Sequence, residues 1–332
     1  MKIRSAIYAG IVAIAALVIA AAVFDYGNND SENKIRVAYF PNISHAIPII
    51  GIEKGIFPNE IIETKLFDNG PQVIESMFSR SIDIAYVGPG PTINGFLKSE
   101  HEIIILSGAA NGGASFIVHP NSDIKTAEDF SGKRIATPQI GNTQDVSLRN
   151  YLSQHDLAPA EKGGTVIVFN ISNPDIYTLF VKGDIDGAWV PEPWATILVE
   201  ELGGTRLFFE ESLWPEKQFT SVLLIGRAEY IENNPELIQR WIDLHQKTAT
   251  WINENPEESV VLFNQFMKKT FGQTLPEKIV STSLSNLEIT TELIDESIAM
   301  FAERADSLGY LGRNGYDLDG IFFDISLLET KI

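Results

Sequence analysis

The chain reads as an α/β protein built of two similar units, each a parallel-rich sheet flanked by helices, joined by two passes of the chain. Three observations predict this. From residue 35 short apolar runs alternate with capped amphipathic segments in βαβ order, which favours parallel strands with helices on the sheet faces. The same alternation restarts near residue 120, and one strand on either side of it links the two sets. No apolar run after residue 24 is long enough to span a membrane, so the 44% hydrophobic content must go into cores.

The first unit opens with Ile35-Arg36-Val37-Ala38-Tyr39-Phe40 as a strand. Pro41-Asn42-Ile43-Ser44 is a turn, with Ser44 expected to cap a helix running through Ile52 to Gly55. Glu60 to Phe67 alternates as a second strand. Gly70-Pro71 starts a helix that carries Val73, Ile74, Met77 and Phe78 on one face. Ile82 to Val87 is a third strand, broken by Gly88-Pro89-Gly90-Pro91, and a helix follows through Thr92, Ile93, Phe96 and Leu97. His101 to Leu106 is a fourth strand.

In the second unit Thr126 to Phe130 is a short helical turn ending at Gly132, and Lys133 to Thr137 is a strand. A loop over 138–142 leads into a helix from Thr143 to Ser153. Thr165 to Phe169 is a strand, Pro174 to Val181 a helix, Gly187 to Val190 a strand, and a helix holds Trp194, Ile197, Leu198 and Leu202. Ala114 to Val118 and Phe219 to Ile225 read as the passes between units. After residue 230 the chain turns helical, with Asn234-Pro235 and Asn255-Pro256 each placing a capping Asn before a helix-starting Pro. Trp241 and Trp251 mark a core face, and helices near 276–286 and 291–308 complete the chain. No internal repeat can be aligned. The expected boundaries are 35–117 plus 222–332 for one lobe and 118–221 for the other.

Ahead of the body lies a leader. Met1-Lys2-Ile3-Arg4 is positive, Ser5 to Phe24 is uncharged and mostly apolar, and Asp25 to Lys34 is polar. A positive start, an apolar run and a polar release address a chain to a membrane, so the body is expected outside the cytoplasm. The 19 residues Ala6 to Phe24 would reach about 28 Å as a helix, close to the ~30 Å hydrocarbon core. Small residues at Ala20 and Ala22 also suit cleavage. Residues 1–26 are thus a signal peptide or an anchor, and 27–34 a polar linker. The chain has no Cys, which excludes a lipid-modified Cys, disulfides and thiolate metal sites. A net charge of −19 without Lys/Arg clusters argues against nucleic acid.

In an open α/β sheet, ligands bind beyond the carboxyl ends of the strands. Here those ends are loops 40–45, 87–92, 107–113, 137–143 and 189–194, rich in Gly, Pro, Asn and Thr and free of Lys and Arg. Several run into helix starts, where free N–H groups favour an anion. Gly88-Pro89-Gly90-Pro91-Thr92 is the clearest case and Gly141-Asn142-Thr143 the second. Taken singly, each also reads as ordinary turn chemistry. The neutral donors would be Asn42, Thr92, Asn111, Asn142, Thr143, Gln144 and the Trp189 ring. His45 joins the candidate set, and Tyr39, Phe40, Trp189 and Trp194 would wall the pocket. Glu192, or Asp145, would sit beside the ammonium of a zwitterionic ligand such as an amino-sulfonate; alternatively Glu192 faces solvent or caps its own helix. No HExxH or GxSxG motif is present, which speaks against a catalytic metal or a hydrolase triad. No catalytic residue, metal or cofactor is expected.

These segments together resemble the extracytoplasmic substrate-binding proteins of nitrate/sulfonate/taurine-type ABC importers. The resemblance is carried by VAYFPN (37–42), GIEKGIF (51–57), GPQVIE (70–75), IDIAYVG (82–88), FSGKRIA (130–136), GDIDGAW (183–189) and EPW (192–194). It implies a type II periplasmic-binding-protein clamshell with two hinge crossings, a small-molecule ligand, and a membrane permease with its ATPase as partners. The sulfonate-binding branch is most similar; it implies ligand contacts at Asn42, Gly88 to Thr92, Gly141 to Thr143 and Trp189 to Glu192. A pyrimidine-precursor branch shares the fold. Its related enzymes use a Cys-rich motif that this chain lacks. Sulfonate, taurine, nitrate, bicarbonate and a neutral heterocycle all remain open as ligands, and a ligand-sensing role is the rival to import. A monomer is expected.

Overall fold

The computed structural model describes residues 34–312 and 315–329; the leader and most of the linker lie outside the described residues. The architecture below is that of the unit Arg36–Ile332, with Ile35 at the start of its first strand. Its elements run β1 (Ile35–Tyr39), α1 (Ala46–Glu53), β2 (Ile62–Leu66), α2 (Gly70–Phe78), β3 (Ile84–Val87), α3 (Pro89–Lys98), β4 (Ile103–Gly112) and β5 (Ala114–Val118). Then come β6 (Arg134–Thr137), α4 (Thr143–Gln154), β7 (Ile167–Asn170), α5 (Asn173–Lys182), β8 (Gly187–Pro191), α6 (Trp194–Glu200), β9 (Thr205–Phe209) and β10 (Thr220–Arg227). The chain ends with α7 (Ala228–Asn233), α8 (Pro235–Glu254), α9 (Pro256–Phe271), α10 (Glu277–Ser285), β11 (Leu287–Ile289), α11 (Asp295–Ser307) and α12 (Ser326–Glu329).

The strands form two mixed sheets, one ordered β11-β4-β10-β3-β1-β2 and the other β7-β6-β8-β5-β9. Each is the base of one lobe. The central pairs are parallel, β1 with β3 and β6 with β8, while β10 and β5 run antiparallel to them. The inner strands are mostly apolar, and β3, β4 and β5 are buried throughout, as strands covered on both faces are.

The two lobes share a device that the sequence reading did not align. Asp83, just before β3, accepts the Arg36 N–H at 2.9 Å and the Arg36 Nε at 2.8 Å. Asp186, just before β8, accepts the Arg134 N–H at 2.8 Å and the Arg134 Nε at 3.1 Å. In each lobe an aspartate thereby fixes the register of two parallel strands at their amino ends. The repeat is Ile82-Asp83-Ile84-Ala85-Tyr86-Val87 against Ile185-Asp186-Gly187-Ala188-Trp189-Val190. Burial alone would raise the Asp83 pKa, but the Arg36 and Arg227 guanidiniums and the Arg36 N–H hold it below its usual value.

Both passes between lobes differ from expectation. The strand Ala114–Val118 lies wholly in the second sheet, paired with β8 and β9, and 220–227 lies wholly in the first. The chain changes sheet at Gly112-Gly113, ahead of the expected boundary after 117. Gly112 and Gly113 have φ of +69° and +73°, and a Cβ on Gly113 would lie 2.1 Å from Leu287 Cδ2. Only glycine allows that reversal at low cost. The return runs through two short turns, Glu210–Leu213 and Pro215–Lys217, into β10.

Smaller departures have local causes. Ser44 sits inside a single 3-10 turn, Ile43–His45, rather than at its start, and makes no capping bond. Asn234 and Asn255 do precede Pro-started helices, but their Nδ2 groups donate backwards to Tyr230 O and Trp251 O, closing the preceding helix. Edge strand β9 and the three-residue β11 were not anticipated. Trp241 is fully buried and stacks on Phe57 at 4.4 Å.

Candidate functional site

Between the sheets lies a cavity of about 40 Å³ walled by both lobes. Seven of the expected site residues line it: Phe40, Asn42, His45, Gly88, Asn142, Thr143 and Gln144. They come from the turn after β1, the end of β3 and the start of α4, which is where the carboxyl ends of parallel strands meet. Ser44, Gly112, Gly113, Pro138 and Pro191 also line it, within the loops the sequence singles out; Asp68, Ala114, Asn173, Ser221 and Val222 lie outside those loops and were missed. Asn173 opens α5 directly beyond β7, so the same strand-end rule would have found it. Asp68 follows β2, a largely exposed strand that the sequence did not connect with the site.

The lobes touch across this cavity. Trp194 Nε1 donates to Asn42 Oδ1 at 3.3 Å, and Gly90 N donates to Thr143 Oγ1 at 3.4 Å. Beyond Asn42 the cleft opens into a second cavity of about 280 Å³ that shares Phe40, Asn42, Asp68 and Asn173, and adds Phe67, Trp194, Met267 and Phe271. His45 supplies no charge. It is buried, and desolvation pushes its pKa down to about 3. The Phe40 N–H points at its Nδ1 (3.4 Å) and the two rings lie 4.5 Å apart. That contact leaves the imidazole proton on Nε2.

The anion-binding expectation at Gly88-Pro89-Gly90-Pro91-Thr92 is not met by the geometry. Helix α3 begins at Pro89 itself, so Pro89 and Pro91 fall in its first turn and carry no N–H. The remaining early donor, Gly90, is taken by Thr143, and the Thr92 hydroxyl donates back to Gly88 O at 2.9 Å. Pro91 and Gly141 line instead a separate groove of about 250 Å³ with Phe78, Ile140 and Tyr310. Pro89, Gly90 and Thr92 are buried in the helix start.

Four further expected residues have structural partners. Trp189 is core, its Nε1 donating to Glu210 at 2.8 Å. Asn111 lies off the cavity and donates to Glu288 at 3.0 Å. Asp145 is fully buried and accepts from Gly141 N (2.9 Å), Arg149 Nε (2.9 Å), Asn170 Nδ2 (2.7 Å) and Tyr310 Oη (2.6 Å). Glu192 is also fully buried. It accepts the Thr196 N–H (3.0 Å) and Thr196 hydroxyl (2.9 Å), capping α6, and is paired with Arg206 at 3.1 Å. Asn286 Nδ2 (2.8 Å) and Ser283 Oγ (3.2 Å), from the end of α10 in the other lobe, complete its shell. Neither carboxylate has a lone pair to spare for a ligand, so the alternative of helix capping holds for Glu192. Trp194 faces the second cavity, and the neighbouring Tyr39 is buried.

Comparison with known proteins fits this geometry. A protein of Brucella abortus (strain 2308), named only as a binding protein, is 26% identical over 268 residues, covering 80% of this chain and 81% of its own. The taurine-binding periplasmic protein of Escherichia coli K12 is 27% identical over 179 residues, 54% of this chain and 53% of its own. Among solved structures, the periplasmic aliphatic sulphonate binding protein SsuA of Escherichia coli superposes with a TM-score of 0.72 at 20% identity, covering 88% of this chain and 92% of that one. It carries the same two-lobed type II periplasmic-binding-protein fold. The NMT1-like family model matches residues 28–262, and the chain belongs to the NMT1-like family.

Proposed function

We propose that the protein is the solute-binding component of an ABC importer, closing two lobes on a small compound and handing it to a membrane permease worked by an ATPase. One observation carries this reading: a cavity whose wall is split between two sheets, with hydrogen bonds between the lobes beside it from Trp194 to Asn42 and from Gly90 to Thr143. A solute that touches both walls favours the closed arrangement, because only that arrangement offers both sets of contacts. The contact residues are Phe40, Asn42, His45, Gly88, Asn142, Thr143 and Gln144. Relatives named for taurine and aliphatic sulfonates, and called periplasmic, support binding without chemical change and a site of action outside the cytoplasm. The leader at 1–26 supports the same location, as cleaved signal or as anchor, with the body acting as a monomer. No helix of the described residues is long and apolar enough to cross a membrane.

A thermal-shift screen of the full-length protein with taurine, alkanesulfonates, nitrate, bicarbonate and small amines tests the reading. A ligand at 100 times its Kd stabilises by about 2.7 kcal/mol, a readily seen shift. A compound that is bound and then chemically converted would refute it, as would a screen without a single stabilising solute.

A further inference from the structure

The walls of the cleft are unusual in charge. Among the residues lining the inner cavity and the adjoining 280 Å³ one, Asp68 is the sole charged side chain, and it lines both. There is no Lys or Arg on either wall, and His45 is neutral. Asp68 is exposed at the junction and has no ion-pair or hydrogen-bond partner among the described residues. Asn173 lines the same two cavities, is 9% exposed, and its Oδ1 is buried without a hydrogen-bond partner. A buried acceptor left unpaired is costly unless something donates to it. Carboxylate and orphan carbonyl together ask for a ligand rich in N–H. The outer cavity, walled by Phe67, Trp194, Met267 and Phe271, asks for apolar surface.

Resting on the solute-binding reading, we infer that the ligand carries an ammonium group held between Asp68 and Asn173 and an apolar body lying against Trp194, and that it has no net negative charge. A bare oxyanion fits poorly. It would meet Asp68 without a compensating cation, would leave Asn173 Oδ1 unpaired, and would leave the larger cavity unfilled. The two prolines of α3 also withdraw donors that an anion would use.

The test is calorimetric titration of the full-length protein, at pH 7 and low salt, with three compounds of one shape and different charge: benzylamine, benzyl alcohol and benzenesulfonate. Benzylamine should bind at least tenfold more tightly than benzenesulfonate. Asp68→Asn should weaken benzylamine about fivefold, the scale of an exposed ion pair, and leave benzyl alcohol unchanged; Asp68 is exposed, so the variant should fold. Benzenesulfonate binding as well as benzylamine overturns the inference, and so does binding by none of the three. In either case taurine or an alkanesulfonate stabilising the protein in the screen above keeps the solute-binding reading intact. Failure of both experiments removes both.

Discussion

Glu192 and Glu210 show how little a residue's type says about its task. The sequence offers Glu192 a ligand or a helix cap; five donors and full burial assign it the cap, plus a cross-lobe tie through Asn286 and Ser283. Glu192→Gln removes the charge that Arg206 needs in a dry setting. It should cost about 3 kcal/mol in urea unfolding, the lower end of what breaking a buried pair costs, with benzylamine affinity little changed. Glu210 drew no attention in the sequence. It is fully buried, accepts from Trp189 and Ser147, and burial pushes its pKa up to about 7. A carboxyl raised in the folded state binds its proton more tightly there than when unfolded. Its stabilising contribution is therefore complete below the unfolded value near 4.5 and is lost as pH rises towards about 7. Wild-type stability should decline across that window by roughly 3 kcal/mol from this group, and Glu210→Gln should flatten the curve. Equal slopes in wild type and variant would refute the assignment.

At the scale of elements, local signals placed the helices well and their ends less well. Pro71, Pro235 and Pro256 stand in the first turn of a helix, as expected, and so does Pro89, which the sequence placed in the break ahead of its helix. What a Pro does to the donors of that turn depends on the residue where the helix begins, and periodicity fixes such ends only to within a few residues. Asn234 and Asn255 had the right address and the wrong direction, since an Asn amide can serve the helix before it as well as the one after. The passes between sheets were sought in strands, yet the turn that matters is Gly112-Gly113. Gly113→Ala combines a left-handed backbone with a Cβ 2.1 Å from Leu287. It should lower stability by about 2–3 kcal/mol, read as a fall in the urea midpoint.

For the molecule as a whole, the two lobes are tied by the protein's own bonds. Tyr310, beyond α11, reaches Asp145 at the start of α4, and Asn42 and Gly90 meet Trp194 and Thr143. Tyr310→Phe keeps the ring and removes a bond to a carboxylate, worth about 1.5 kcal/mol, or about tenfold in an equilibrium. The ligand-free variant should show a larger radius of gyration by X-ray scattering and bind its solute several-fold more weakly. An unchanged radius would show that this bond does not hold the lobes together.

The two-lobed α/β architecture, the order of its elements and the general position of the cleft were legible in the sequence, because hydrophobic period, helix-start chemistry and the strand-end rule are local or topological. The Asp83 and Asp186 clamps were written there too, as Ile-Asp-x-Ala-aromatic-Val, each paired with an arginine at the amino end of the neighbouring parallel strand, Arg36 and Arg134. Which polar residues face the cavity was decided by tertiary structure alone. Asp145 and Glu192 are spent on partners far away in the chain, Tyr310 at a separation of 165 residues and Asn286 at 94, while the Asp68 carboxylate and Asn173 Oδ1 are left without any among the described residues. Whether a carboxylate is satisfied depends on what the fold brings to it from elsewhere, and no local pattern of residues carries that information.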